Sequence, residues 1–275
     1  MLFNLKKKTS PRLTLPKTFG SVKSPFDPLT LPTYQAGYLM NLTNQVPSGS
    51  INHTALTQWF DAVLLNITGK YFQANIDITV PETINGLQAF GFTGATDQAY
   101  NTLFDVFNGV SNYTQLIGFR KAASASGGVL FYRSNAAQTN ESWIYLNSAG
   151  KINIFMGDGH GGTNNGINLN SVLSYDDNSP HIIVAQYNQT TKSVDLFTDL
   201  GEHLSVSNVL FNPGSMAAGS QFDVILGKWY NGSLTFNPGL FADMFLYSSI
   251  LSIADINKLM IYEADRIGIK HFVPF

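Results

Sequence analysis

The segment from Tyr71 to Val80, YFQANIDITV, alternates without a break: Phe72, Ala74, Ile76, Ile78 and Val80 fall on one face, and Gln73, Asn75, Asp77 and Thr79 on the other. A period of two places every second side chain on the same side of an extended chain, so this is the pattern of a half-buried strand. Short runs of similar character follow: LQAFGF from 87, QLIGF from 115, GVLFYR from 128, SWIYL from 142, KINIFM from 151, HIIVAQY from 181, SVDLFT from 193, FDVILG from 222 and LFADMFLY from 240. Turn-forming stretches such as GDGHGGTNNG, DDNSP, NQTTK and YNGS separate nearly all of them. Each such strand has an apolar face that must be covered, and two antiparallel sheets packed face to face cover them all.

A helical period occurs once. After Ser252, the residues Ile253, Ile256, Met260, Ala264 and Ile267 share a stripe, Ser252 with Asp255 makes a capping-box-like start, and Gly268 supplies a stop. The spacing predicts one late helix over about 253–267. A jelly-roll sandwich with a single C-terminal helix is the expected architecture.

The 275 residues admit one large β domain or two small ones at ~150 residues per domain. Charged residues make up only 12% of the chain and aromatics 13%, against a usual charged share of ~25%, which excludes a coiled coil, an acidic disordered chain and a wholly basic nucleic-acid binder. The net charge of −2 conceals an asymmetry: Lys6, Lys7, Lys8, Arg12, Lys17 and Lys23, less Asp27, give +5 over residues 1–30, leaving −7 on the remainder. Pro11, Pro16, Pro25, Pro28 and Pro32 interrupt the same stretch, so residues 1–32 are expected to form an extended arm and 33–275 the folded body. The six cations have neither aromatic interleaving nor a helical face, which argues against sequence-specific nucleic-acid recognition and for anchoring to an assembly partner.

Cysteine is absent, which removes disulfides, thiolate metal sites and cysteine nucleophiles. Three lysines interrupt the start of the chain before an apolar run of secretory length can form, and no apolar stretch of ~20 residues follows. Neither a cleaved secretory signal nor a membrane span is expected. The seven Asn-x-Ser/Thr sequons, at Asn41, Asn52, Asn66, Asn112, Asn140, Asn188 and Asn231, reflect a composition rich in these residues.

The stretch HIIVAQYNQTTKSVDLFTDLGEHLS from His181 resembles the paired strands of concanavalin A-like lectin/glucanase domains of the laminin-G-like kind. The closing segment FDVILGKWYNGSLTFNPGLFADMFLYSSILSIADINKLMIYEADRIGI is similar to the strand, turn, strand and helix that end such domains. FDPLTLPTYQAGYLMNL and LTQWFDAVLLNITGKYFQAN resemble the opening of those found in phage and other virion-associated proteins, although Leu39-Met40-Asn41 stands where the family has Leu-Asp-Ala, and Asp199-Leu200-Gly201 where its hairpin has Asp-Gly. The resemblance implies a concanavalin A-like sandwich and a virion setting, assembled in the host cell, and names no ligand.

Glycosidases of this superfamily set paired carboxylates on one strand. The four glutamates, Glu82, Glu141, Glu202 and Glu263, have no second glutamate within five residues, and Asp77 with Asp195 is the pair that distant strands would have to assemble. Gly-x-Ser-x-Gly and His-Glu-x-x-His are both missing, and the Gly-rich run at 157–166 lacks the Lys-Ser/Thr of a phosphate loop. That loop's Asp158, His160, Asn164 and Asn165 offer oxygens and amides for sugar hydroxyls or, at Asp158, for calcium; the competing reading is an ordinary Gly/Asn turn. Pyranose rings stack on exposed aromatics, which singles out Trp229 and Tyr230, with Tyr175 beside Asp176 and Asp177 as a weaker candidate, whereas Trp59 and Trp143 sit in apolar runs and are expected in the core. His53, His181, His203 and His271 show no ligand spacing.

The reading preferred is therefore a non-catalytic structural or interaction protein, a virion surface component such as a decoration, fibre or head protein, with no resident cofactor. A free glycan-binding lectin module is the alternative and a glycoside hydrolase the third.

Overall fold

The computed structural model describes residues 26–38, 56–60, 71–78, 83–92, 100–102, 112–123, 127–135, 142–157, 166–211, 222–227, 236 and 238–275. The first half of the chain supplies strands β1 (Tyr34–Tyr38), β2 (Leu56–Phe60), β3 (Tyr71–Ile78), β4 (Thr83–Ile84), β5 (Leu87–Gln88), β6 (Phe90–Phe92), β7 (Tyr100–Thr102), β8 (Asn112–Ala122) and β9 (Gly128–Asn135). The second supplies β10 (Ser142–Leu146), β11 (Lys151–Met156), β12 (Ile167–Ser174), β13 (Asp177–Asn188), β14 (Ser193–Thr198), β15 (His203–Ser207), β16 (Phe222–Leu226), β17 (Gly239–Tyr247) and the helix α1 (Ile253–Ile267).

Two antiparallel sheets form an all-β sandwich. One runs β1-β17-β8-β13-β14-β15, with β6 also paired to β17, and the other runs β12-β11-β10-β9-β16-β7-β3-β2. Between them lies an apolar core in which Ile117, Phe119, Ile183, Ala185, Leu196 and Met244 of the first sheet meet Leu130, Phe131, Ile144, Ile154 and Leu169 of the second. The first sheet is covered on its other face as well: Leu116, Ile182, Val184, Ala242 and Phe245 pack beneath Ile256, Leu259, Met260 and Tyr262 of α1. Burial on both faces is why the middles of β8, β13 and β17 hold consecutive apolar residues whereas β12 alternates.

The helix forms where its period predicts. Ser252 caps it, accepting from the Asp255 amide, and Gly268 ends it in the left-handed conformation at φ 83°. The hairpin joining β4 and β5 turns through Asn85 and Gly86, both at positive φ as a tight two-residue turn requires, and Asn85 Nδ2 donates to the Arg266 carbonyl at 2.9 Å, satisfying an otherwise free acceptor in the last helical turn.

Charge is buried under α1. Arg266 donates through Nε to Asp243 Oδ2 and through Nη2 to Oδ1 at 3.3 Å, with both side chains almost fully enclosed. Glu263, beside them, has no solvent exposure. Burial and then the charge of Asp243 hold its carboxyl well above the usual range, against the opposing pull of Arg266.

Residues Phe26–Pro32, assigned from sequence to the arm, lie on the body. Asp27 caps a 3-10 turn at Pro28–Thr30, Tyr247 donates to the Pro28 carbonyl at 3.1 Å, and the Phe26 ring stands edge-on to Tyr262 at 6.4 Å. The six cations of the arm lie outside the described residues. Among the described residues no helix is long and apolar enough to cross a membrane.

At the other margin of the sandwich the edge strand β12 carries a bulge at Ser171–Leu173. Ser171 Oγ accepts from the Ile152 amide and donates to the Leu173 carbonyl, and Glu202 Oε1 accepts from the Val172 and Leu173 amides at 2.7 and 3.2 Å. Glu202 is thereby tied across from the β14–β15 turn.

Candidate functional site

Alternation divides β10, β11 and β12 cleanly. Ile144, Leu146, Ile152, Ile154, Met156, Ile167 and Leu169 enter the core between the sheets, so Trp143, Tyr145, Lys151, Asn153, Phe155, Asn168 and Asn170 project from the outward face. Register sets them in two rows: Tyr132, Trp143, Phe155 and Asn168 in one, and Val129, Tyr145, Asn153 and Asn170 in the next.

The Trp143 and Phe155 rings stack with centroids 4.1 Å apart and planes 22° from parallel. Trp143 Nε1 donates to Asn153 Oδ1 at 3.1 Å, and Asn153 Nδ2 donates to Asn168 Oδ1 at 2.6 Å and Asn170 Oδ1 at 2.8 Å. Asn153 is 4% exposed, whereas Asn168 and Asn170 are exposed. Half-buried aromatic surface beside a fixed row of carboxamides offers both contacts that sugar recognition uses, an apolar face for C–H patches and oriented polar groups for hydroxyls.

Trp143 was expected in the core and stands instead on the outward face. The run SWIYL is apolar on both faces, so the run alone could not assign its sides; the partner strand KINIFM, with Asn153 opposite Tyr145, carries that signal. Tyr175 departs in the opposite sense. It is fully buried, its hydroxyl donating to Glu202 Oε2 at 2.5 Å and hydrogen-bonded to the Thr198 hydroxyl at 2.8 Å, and so presents no face to a sugar.

Asp158, His160, Asn164, Asn165, Trp229 and Tyr230 lie outside the described residues. Only the roots of their segments are placed. Met156 and Ile167 pair in register next to Phe155 and Asn168, so the 157–166 segment springs from the edge of the aromatic row. β16, which precedes Trp229 in the chain, runs antiparallel to β9, which is itself parallel to β11, so β16 and β11 end at opposite margins of the sheet. Among the described residues no group of three or more His, Asp or Glu is placed to hold a metal ion.

A second polar cluster is centred on β13. His181, 2% exposed, lies between two carboxylates, Nδ1 3.0 Å from Asp199 Oδ2 and Nε2 3.0 Å from Asp177 Oδ1. Burial opposes its charge, but the hydrogen bonds and charge of Asp199, then of Asp177, prevail and raise its pKa above the ordinary value. Asp195 lies on β14 of one sheet and Asp77 on β3 of the other.

No family model matches the chain, and no curated protein matches its sequence. Solved structures match it in fold. The Ruminococcus gnavus IT-sialidase CBM40 bound to alpha2,3 sialyllactose superposes with a TM-score of 0.50 at 16% identity, over 62% of this chain and 96% of that one. The binding domain of Botulinum Neurotoxin DC in complex with SialylT gives 0.54 at 9% identity, over 85% of this chain and 52% of that one. At such identities the likeness is one of architecture: the chain is an all-β sandwich similar in fold to these modules.

Proposed function

We propose that the chain is a non-catalytic glycan-binding module whose binding surface is the outward face of β10, β11 and β12. The observation that carries this is the half-buried Trp143 stacked on Phe155 and hydrogen-bonded into the Asn153, Asn168 and Asn170 row. A pyranose laid on the indole would gain the apolar contact while its substituents met the amides. The fold likeness to modules solved with sialylated ligands supports the same reading. Glycan-array retention tests it: the full chain should be retained on a subset of glycans and Trp143→Ala should not. Retention unchanged in Trp143→Ala, with the circular dichroism spectrum preserved, overturns this surface as the site.

The virion reading rests on the resemblance of the opening segments and on the +5 charge of residues 1–30, which would steer an arm toward an acidic neighbour. It is a second proposal for where such a module works, with calcium at Asp158 a third. Stoichiometric recovery with purified particles tests the virion reading, and calcium titration of Asp158→Ala tests the metal.

A further inference from the structure

The indole N–H of Trp143 can only donate, so the atom of Asn153 that faces it at 3.1 Å is the carbonyl oxygen. This fixes the other end of the amide. Asn153 Nδ2 must then point at Asn168 and Asn170, and as it donates to both, the atoms that meet it are their oxygens. One tryptophan thus sets the orientation of three carboxamides in succession.

The consequence is a polar strip with one sense. The oxygens of Asn168 and Asn170 are turned inward onto Asn153, and their Nδ2 groups remain on the exposed side, where Asn170 makes one long bond to Asn168 Oδ1 at 3.5 Å. Both oxygens converge on a single nitrogen, so the two amides lie side by side. A neutral sugar hydroxyl both donates and accepts, and this strip turns its oxygens inward and its N–H groups outward; a carboxylate only accepts. The three strands that carry the strip, SWIYL, KINIFM and INLNSVLS, contain no acid and a single base, Lys151, which projects from the same face two residues before Asn153. Nothing on those strands repels an anion. Hydrogen bonds to a carboxylate are about twice as strong as those between neutral groups.

We infer that the site prefers carboxylate-bearing glycans, the carboxylate of a sialic or uronic acid taking the Asn168 and Asn170 amide donors while the sugar ring lies against Trp143. The inference rests on the glycan-binding reading above. The mutations that isolate it are Asn168→Asp and Asn170→Asp, which keep the shape and replace outward donors with acceptor oxygens, and Trp143→Phe, which keeps an aromatic face and removes the group that sets the amides.

The test is isothermal titration of the full chain with 3′-sialyllactose, lactose, tetragalacturonate and its methyl ester. Binding of at least one acidic ligand should exceed that of its neutral counterpart by tenfold or more, and which acid wins identifies the sugar. Asn168→Asp and Asn170→Asp should each abolish that ratio, and Trp143→Phe should reduce it. Equal affinity for acid and neutral forms, or a ratio unchanged in both aspartate variants, overturns the carboxylate inference and leaves the glycan reading standing. Absence of binding to all four probes overturns the inference, and an empty glycan array alongside it overturns the glycan reading too.

Discussion

Replacing Arg266 with methionine should cost about 3–5 kcal/mol at pH 7, because it takes the guanidinium away from the enclosed Asp243 carboxylate. Arg266 is 3% and Asp243 0% exposed, so water cannot take over the lost contacts. Without the guanidinium, the enclosed carboxylate escapes by taking up a proton. For a carboxyl that titrates near 3.9 in water, at about 1.36 kcal/mol per pH unit, that escape costs roughly 4 kcal/mol at pH 7, inside the same range. The escape route has a signature: the penalty should shrink by about 2.7 kcal/mol between pH 7 and pH 5, because protonation becomes cheaper by that amount. The Asp243→Asn, Arg266→Met double variant, which buries no unpaired charge, should recover most of the loss at pH 7 and show little of the pH dependence. Urea unfolding followed by tryptophan fluorescence and circular dichroism, at both pH values, measures all of this. A penalty below about 1 kcal/mol at pH 7, or one independent of pH, would refute the argument that α1 is held down over a buried ion pair.

Three further outcomes follow from the buried groups. Glu263, whose folded pKa is raised, contributes most stability below its unfolded pKa and loses it as pH rises toward the folded value; Glu263→Gln should flatten that decline and match or exceed the parent in urea midpoint above pH 5. His181 likewise has a raised folded pKa, so its contribution is full below ~6.5 and fades as pH rises through the folded value, while Asp177, lowered by the amide of Ser179 and by His181 against its own desolvation, contributes above ~3.8 and fades in acid. The stability difference between parent and His181→Gln should therefore be larger at pH 5.5 than at pH 8.5 in thermal melts. Gly118→Ala would drive a methyl into Glu263 Oε1 and against the Ala242 side chain; a loss of about 1–3 kcal/mol is expected, smaller in a Glu263→Ser background, and additive losses in chemical denaturation would show that the two residues do not meet.

Fold class and the C-terminal helix could be read directly, because period two and period 3.6 are properties of local sequence, whereas the ten runs read from sequence fall short of the seventeen strands among the described residues. Ser252, Asp255 and Gly268 mark the helix ends by their own chemistry, which needs no tertiary context. What the chain did not disclose was the pairing of strands. Asn153 meets Asn168 and Asn170 only through the β11–β12 register, and INLNSVLS, whose Asn and apolar positions alternate, went unremarked as a strand beside stronger apolar runs. Trp143 was misplaced for a related reason: in a run apolar on both sides, which side faces the core is decided by the second sheet. Tyr175 looked exposed because Asp176 and Asp177 follow it, yet the hydroxyl found Thr198 and Glu202, so a polar tip let the ring be buried. Asp243, Glu263 and Arg266 gave no warning at all, since a charge on an otherwise apolar strand carries no mark of its partner.

Glu202 bears on how the folded chain behaves in a crowd. β12 is an edge, its bulge exposes Val172 and Leu173, and an open strand margin with apolar side chains is a template onto which another molecule's strand can add. Two of the amides such a strand would need are already taken by the Glu202 carboxylate, and the bulge bends the margin away from the straight geometry that continued growth requires. Among the described residues no strand lies beyond β12, and a side chain from a turn of the opposite sheet closes that margin against strand addition.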